Sequence, residues 1–331
     1  MRYLGSKTSL LDDIYMLVKE YTKDGVFCDP FGGIGTVGTF MKKKGCKVIT
    51  GDILFCAHCF QTALIEHNGS FDFKKLTENL SIKSYEDIEH YLNNLSADKG
   101  WLIEEYSVKR KFFTENNAKK IQACYDCIQY WKSSRIINDF EYKILIASLI
   151  QSFDKIANTA GTYYAYLKNY YRKALQQFEY KVIQPNIGND SCKSYYMDAL
   201  QLVSMCEYDV LYLDPPYNER KYEHYYHLPE NIAKGIIPIP KGKSGIYSED
   251  IISSSYNIKS EATEAFKLLI ECAKAKCIIF HYTDNGLIKI EDAKEILSKY
   301  GSVEEFELTC KKYSTNSRNE KDKHHIMRVL K

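Results

Sequence analysis

Asp214-Pro215-Pro216-Tyr217 is the string in this chain whose residue types and order carry the most chemistry. It follows Asp209-Val210-Leu211-Tyr212-Leu213, an apolar run that reads as a buried strand. Two consecutive prolines fix their φ angles and remove two backbone donors, so the turn is rigid and presents carbonyl acceptors. A planar amine is the group that uses such a turn. The exocyclic amino group of a nucleobase is a poor nucleophile, because its lone pair is delocalised into the ring until acceptors hold its two hydrogens. Asp214 and the carbonyl of Pro215 supply that pair, and the negative Asp214 also stabilises the positive charge that grows on nitrogen during attack. Tyr217 offers a face on which a base can stack. A proline turn that merely caps a strand is the bland alternative.

A second candidate is Asp29-Pro30-Phe31-Gly32-Gly33-Ile34-Gly35, placed where a first strand candidate, Gly25-Val26-Phe27-Cys28-Asp29, hands over to a helical pattern running to Lys43. Open α/β sheets bind ligands outside the carboxyl ends of their strands. Glycines let the backbone approach a ligand closely, and the helix N-terminus behind them favours an anionic group. Asp52 ends the next strand candidate, Lys47-Val48-Ile49-Thr50-Gly51-Asp52, where it can accept from ribose hydroxyls. The dinucleotide spacing G-x-G-x-x-G is met only by Gly33-Ile34-Gly35-Thr36-Val37-Gly38, with the turn shifted, which leaves a nicotinamide enzyme as a minor option.

The elements that must position these residues alternate at both ends of the chain. A helix is expected over 8–21, then strand, glycine turn, helix and strand, which is half of a doubly wound sheet. The pattern resumes at 209–214, at Lys276-Cys277-Ile278-Ile279-Phe280-His281-Tyr282, near 303–309 and at 325–330. Between about 67 and 189 the sequence turns to Lys/Asn/Glu-rich helices, for example 116–132 and 139–156, with no strand rhythm. Residues 235–260, rich in Gly, Pro, Ser and Lys, read as a long mobile loop.

With 331 residues the chain buries a sizeable core without disulfides or metal. No apolar run approaches the roughly 20 residues that cross a bilayer, and the first residues lack the apolar core of a secretory signal, so a cytoplasmic protein with no membrane partner is expected. The formal charge of +2 announces no partner, but the distribution is uneven. Lys155, Lys168, Arg172, Lys173 and Lys181 face one acid, Glu179, and are interleaved with Tyr163, Tyr164, Tyr166, Tyr170 and Tyr171, which offers charge and stacking faces to a nucleic acid. A second basic stretch runs from 311 to 331, with seven basic residues against Glu320 and Asp322.

Eleven cysteines are read as reduced, half-buried small residues. Cys56/Cys59 and Cys124/Cys127 have zinc-like spacing, yet each pair falls in a helical stretch where positions three apart share one face, so no metal is expected. His224, His227, His281, His324 and His325 are read as solvated or hydrogen-bonded.

In residues 1–66 and 189–331 the chain resembles the adenine-N6 DNA methyltransferases of the α arrangement, the D12-class, Dam-like family of S-adenosylmethionine-dependent enzymes. The motifs appear in the family's order: Arg2-Tyr3-Leu4-Gly5-Ser6-Lys7, the 29–35 turn, Asp52, Asp198, then the 214–217 turn followed by Asn218, Arg220, Tyr222, Tyr226, His227 and Glu230. The resemblance implies an α/β fold, a Rossmann-like class I methyltransferase sheet with an inserted mainly helical target-recognition domain. The catalytic domain would be discontinuous, 1–66 and 190–331, around a DNA target-recognition domain at 67–189. S-adenosylmethionine would be held by Tyr3, Lys7, Asp29, Phe31, Gly33, Gly35, Asp52 and Asp198. The target base would be handled by Asp214, Pro215, Pro216 and Tyr217. Double-stranded DNA would be the partner, contacted by Arg2, Lys155, Lys168, Arg172, Lys173 and Arg220; the enzyme would serve a restriction–modification system, with a cognate restriction endonuclease as a further partner, or act as an orphan methylase.

A base inside a duplex cannot reach a methyl donor in line, so flipping of the adenine is expected. No side chain need bond to substrate, so Cys28, Cys192 and Cys206 need no nucleophilic role, and a cytosine-C5 enzyme is disfavoured. The rivals are methylation of another planar amine (cytosine N4, an RNA adenine or a protein glutamine) and a non-catalytic DNA-binding module that kept the fold.

Overall fold

The computed structural model describes the chain apart from residues 6, 24, 70–72, 206, 248–253, 312–320 and 331, and apart from the side chains of 309–311, 321 and 322. Ser6, Cys206, residues 248–253 of the 235–260 stretch and residues 312–320 and 331 of the 311–331 basic stretch therefore lie outside the described residues. The chain divides into two units.

The first is built around a sheet and comprises Ser6–Ile53, Asn186–Lys221 and Ile252–Lys331. Its strands are β1 Val26–Asp29, β2 Lys47–Asp52, β3 Lys193–Tyr196, β4 Tyr208–Leu213, β5 Ala275–Tyr282, β6 Ser302–Lys311 and β7 Lys321–Leu330. They lie in the order β3-β2-β1-β4-β5-β7-β6. The first five are parallel, and β7 runs antiparallel between β5 and β6. This is the expected Rossmann-like sheet assembled from both ends of the chain.

The central strands are buried nearly throughout, which is why β4 and β5 read as continuous apolar runs rather than alternating ones. On one face Cys28, Leu211, Leu213, Ile278 and Phe280 pack with Leu202, Phe266, Leu269 and Leu297 from helices Ala199–Met205, Ala262–Cys272 and Ile290–Ser298. On the other face, one residue out of phase, Phe27 stacks on Tyr212 at 6.1 Å.

Two elements differ from expectation. Strand β3 was not foreseen: its four residues, Lys-Ser-Tyr-Tyr, are half exposed and sit at the sheet edge, so no apolar run marks them. Strand β7 starts at Lys321 rather than near 325, because pairing with β6 extends to Lys311↔Lys321 through residues whose sequence is polar.

The second unit is helical and comprises Met1–Gly5, Leu54–Pro185 and Tyr222–Ile251. It is wider than the expected 67–189 segment, because residues before and after that stretch fold with it. Glu230, from helix His227–Lys234, accepts from the amides of Phe55 at 3.0 Å and Cys56 at 2.8 Å, capping helix Phe55–Gln61 with a carboxylate. Helix Asp139–Asp154 opens on a capping box between Asn138 and Glu141, and helix Glu115–Ser133 on Thr114. Cys56 and Cys59 sit on helix Phe55–Gln61, and Cys124 and Cys127 on helix Glu115–Ser133. Among the described residues no helix is long and apolar enough to cross a membrane.

Candidate active site

In the strand order the chain's progression reverses between β1 and β4, and ligands bind outside the carboxyl ends of such a pair. Asp29 ends β1, and Asp214 follows directly on β4. The two strands pair in parallel through Phe27↔Val210 and Cys28↔Leu211, which brings both carboxylates to the same end of the sheet.

The turn after β1 is clipped in place. Gly32 donates to Gly51 O at 3.0 Å and Gly35 to Gly32 O at 2.8 Å. The Gly33 amide donates to Asp52 Oδ2 at 3.0 Å, so the acid at the end of β2 orients the loop it shares a site with. Gly33 (φ 52°) and Gly35 (φ 82°) occupy the left-handed region, and Gly35 is the N-cap of helix Thr36–Lys43. A side chain at either position is strained. Phe31 meets Tyr256 edge-on at 4.9 Å.

Lys7 Nζ binds Asp214 Oδ2 at 2.5 Å, with the lysine side chain 5% and the aspartate side chain 17% exposed. Burial raises the Asp214 carboxyl above its usual range and the Lys7 charge opposes the rise. Asp29 is 2% exposed, and its Oδ1 has no hydrogen-bond partner among the described residues. Burial, then the Asp214 charge, lifts its carboxyl to about 8; Asp52 adds to the rise, while the Phe31 backbone and Lys7 oppose it.

Tyr217 is partly exposed; its carbonyl accepts from the Leu287 amide at 3.2 Å and its ring meets Tyr282 edge-on at 6.4 Å. The segment after it is held by Asn257, whose side-chain amide donates to Asn218 O at 2.7 Å and Arg220 O at 3.0 Å. Asn257 and Tyr256 are buried in the short turn Ser255–Asn257. Within the 235–260 stretch, read as a mobile loop, Asn257 thus ties the Ser255–Asn257 turn to the segment after Tyr217. Asp198 is exposed, and its side chain accepts from the Leu200 amide at 2.8 Å, at the start of helix Ala199–Met205. Behind the site Tyr212 Oη, His281 and His324 form a hydrogen-bonded chain of 2.8 and 2.9 Å, and burial depresses the His281 imidazole well below its ordinary value.

The sheet unit therefore contains Lys7, Asp29, Phe31, Gly33, Gly35, Asp52, Asp198, Asp214, Pro215, Pro216, Tyr217 and Arg220. Arg2 and Tyr3 belong to the helical unit. Arg2 pairs with Asp154 and donates to Thr159 Oγ1 at 3.1 Å, and Tyr3 stacks on Tyr226 at 4.7 Å. Lys155, Lys168 and Arg172 are exposed there, while the Lys173 ammonium donates to Asp154 O at 2.9 Å. Tyr163 corrects the expectation of a stacking face: it is 1% exposed and its hydroxyl donates to Asp154 Oδ1. Tyr164 is 48% exposed and stacks on Tyr225. Asn257 was missed by sequence reasoning, and nothing in a stretch of Ser, Tyr and Asn distinguishes it from an ordinary loop.

A doubly wound sheet with a glycine turn after β1, an acid ending β2 and a proline turn after β4 is the framework expected of an amino-group methyltransferase. Residues 3–305 match the model of the D12 class N6 adenine-specific DNA methyltransferases, and the chain belongs to that family. It is 35% identical to the type II methyltransferase M.FokI of Planomicrobium okeanokoites over 98% of its own length and 50% of that protein. It is 32% identical to M.NlaIII of Neisseria lactamica over 97% of its length and 96% of that protein. It is also 32% identical to the modification methylase StsI of Streptococcus sanguinis, covering 96% of this chain and 49% of that one. The chain thus spans about half the length of M.FokI and StsI and nearly all of M.NlaIII.

Proposed function

We propose that this protein is a site-specific DNA adenine-N6 methyltransferase that uses S-adenosylmethionine. The observation that carries the reading is the pair of carboxyls at the β1 and β4 ends, one neutralised from within by Lys7 and one with an oxygen, Oδ1, that has no partner among the described residues. A buried carboxyl with one unpartnered oxygen, beside two left-handed glycines and an oriented Asp52, fits a cationic nucleoside. Asp29, Phe31, Gly33 and Gly35 would hold its methionine end and Asp52 its ribose, with Asp198 beside the adenine. When bound, S-adenosylmethionine supplies an electrophilic methyl on a sulfonium.

The chain's own residues do the rest. Lys7 fixes the Asp214 carboxylate by one oxygen, so the other meets an amine in a set direction. The Pro215 carbonyl takes the second amine hydrogen, the lone pair localises on nitrogen, and the charge that develops there lies against Asp214. Tyr217 stacks on the flipped base. Asn257 keeps the segment after the turn from drifting.

The helical unit is the proposed target reader: its exposed Lys155, Lys168 and Arg172 supply phosphate contacts, and Arg220 adds one from the sheet unit. By likeness to type II and modification methylases, the protein is proposed as the modifying arm of a restriction–modification system, with a cognate endonuclease as partner.

The test is incubation of the protein with methyl-labelled cofactor and duplex DNA, nucleoside analysis, and mapping of modified positions. Label in N6-methyladenine at one recurring sequence is expected, abolished by Asp214→Ala with cofactor binding retained. Label in N4-methylcytosine, in RNA or in protein, or undiminished transfer by Asp214→Ala, would refute the reading.

A further inference from the structure

Residues 235–247 of the helical unit form an anchored hairpin to which the reaction assigns no role. Helix His227–Lys234 stops at Gly235, which is left-handed at φ 70°, and the Ile236 amide closes back on Asn231 O at 2.9 Å. The chain then runs Ile236-Ile237-Pro238-Ile239-Pro240, stiffened by two prolines, and closes through a Lys241↔Ile246 bridge. The turn between the bridged residues is held against the helical scaffold. Arg110, held by Glu105 at 2.6 Å, donates to Gly242 O at 3.1 Å, and Tyr106 Oη donates to Gly245 O at 3.2 Å. Gly245 sits at φ 72°, and a Cβ there would lie 2.7 Å from Arg110 Nε, so the clamp requires glycine.

What this frame presents is unusual for a surface loop. Ile237 is 66% and Ile239 72% exposed, although Pro238 between them is buried. A stiff frame prevents the isoleucines from folding away. Between Gly235 and Tyr247 the charged residues are Lys241 and Lys243; Lys234, just before them, is paired with Glu230 at 2.9 Å, and Glu249 and Asp250 follow in the sequence. Exposed apolar side chains beside exposed lysines match a polyanion that also has an apolar interior, as a duplex does at the base steps of its grooves.

We infer that the 236–246 hairpin is a DNA-docking element, in which Lys241 and Lys243 meet phosphates and Ile237 and Ile239 press into the adjoining groove. The inference rests on the DNA-methylating reading above. It assigns a contact surface outside the catalytic turn, and it separates two jobs within one loop: salt-dependent anchoring by the lysines and salt-independent apolar contact by the isoleucines.

The experiment uses the full chain and two surface variants, Lys241→Gln/Lys243→Gln and Ile237→Ser/Ile239→Ser. Duplex affinity is measured from 50 to 200 mM salt, with methyl transfer at saturating DNA and thermal unfolding alongside. Each lost phosphate contact lowers the slope of log affinity against log salt by about 0.9, so the lysine variant should lose roughly 2 from the slope. The isoleucine variant should bind about 10-fold more weakly with the slope unchanged, an offset rather than a tilt. Both should unfold like the parent and turn over within about 2-fold of it at saturating DNA, since neither touches the catalytic turn.

The inference is overturned if both variants bind DNA with the parent's affinity and slope, including the case in which they lose only self-association or binding to anionic vesicles. Failure of the underlying function looks different. In that case the unaltered protein itself transfers no methyl group to DNA.

Discussion

Replacing Asp29 by Asn should make the ligand-free protein more stable while removing its grip on the cofactor. The Asp29 carboxyl is raised from 3.8 to about 8, first by burial and then by the Asp214 charge, with Lys7 already engaged on the other acid. A raised acid binds its proton more tightly folded than unfolded. Between pH 3.8 and about 8 the folded state thus carries the extra proton, and stability falls as pH rises through that window and levels off above it. At about 1.4 kcal/mol per unit, the 3.2 units from 3.8 to pH 7 set a ceiling of about 4 kcal/mol. Water entry and side-chain rotation relieve part of it, so a gain of at least about 1 kcal/mol is expected for Asp29→Asn at pH 7.

The assay is thermal unfolding of both proteins from pH 5 to 9 without ligand, followed by cofactor titration. The variant should melt higher, by a margin that widens up to about pH 8 and then holds, and should bind cofactor at least 10-fold more weakly. A margin that is flat across the range, or that widens as pH falls, would falsify the assignment of Asp29 as an uncompensated buried acid.

Asn257→Ala removes two buried hydrogen bonds to the segment after the catalytic turn, worth about 1 kcal/mol each, so kcat should fall about 10- to 30-fold with the KM for cofactor unchanged. Steady-state kinetics checks it, and a wild-type kcat removes the positioning role. Glu230→Ala strips the carboxylate from two helix amides and should cost about 3 kcal/mol, read by denaturant unfolding; a loss under about 0.5 kcal/mol would show that water replaces the cap. Lys168→Glu/Arg172→Glu should weaken duplex binding more than 10-fold at low salt and spare cofactor binding; Lys173 is left intact because its ammonium is engaged with Asp154 O. Equal DNA affinity in that double variant removes these residues from the interface.

Most of the sheet was readable because burial on both faces writes itself as apolar runs: the expected 47–52 strand is β2 residue for residue, and β4 and β5 differ by one or two positions. β3 lacked that mark, since an exposed edge strand needs no apolar run. The same division holds at the site. Asp29 and Asp214 are visible as acids that end strand patterns, and their turns are spelled by Gly and Pro. The Lys7–Asp214 pair joins residues 207 positions apart, and the Asn257 clamp joins one loop to the segment after the 214–217 turn; neither leaves a local pattern. Tyr163 shows the converse error. Its place in a basic, Tyr-rich stretch suggests a stacking face, whereas the buried Asp154, which also binds Arg2, draws its hydroxyl inward.

In the proposed function the two carboxylates at the sheet's end divide the work that one alone could not do. An acceptor for a reacting amine must be anionic and correctly aimed before substrate arrives, because reorganisation during the reaction would raise the barrier. Lys7 meets both conditions for Asp214 by contributing the opposing charge and fixing one oxygen. The same lysine at Asp29 would fill the position that a cationic ligand needs. Leaving Asp29 uncompensated destabilises the empty protein, and the neighbouring Asp214 charge deepens that cost, so a cation that enters recovers both penalties at once. If Asp29 holds the donor as proposed, binding of a sulfonium and loss of the Asp29 proton form one coupled event, and cofactor affinity should rise with pH toward about 8 in the parent and stay flat in Asp29→Asn.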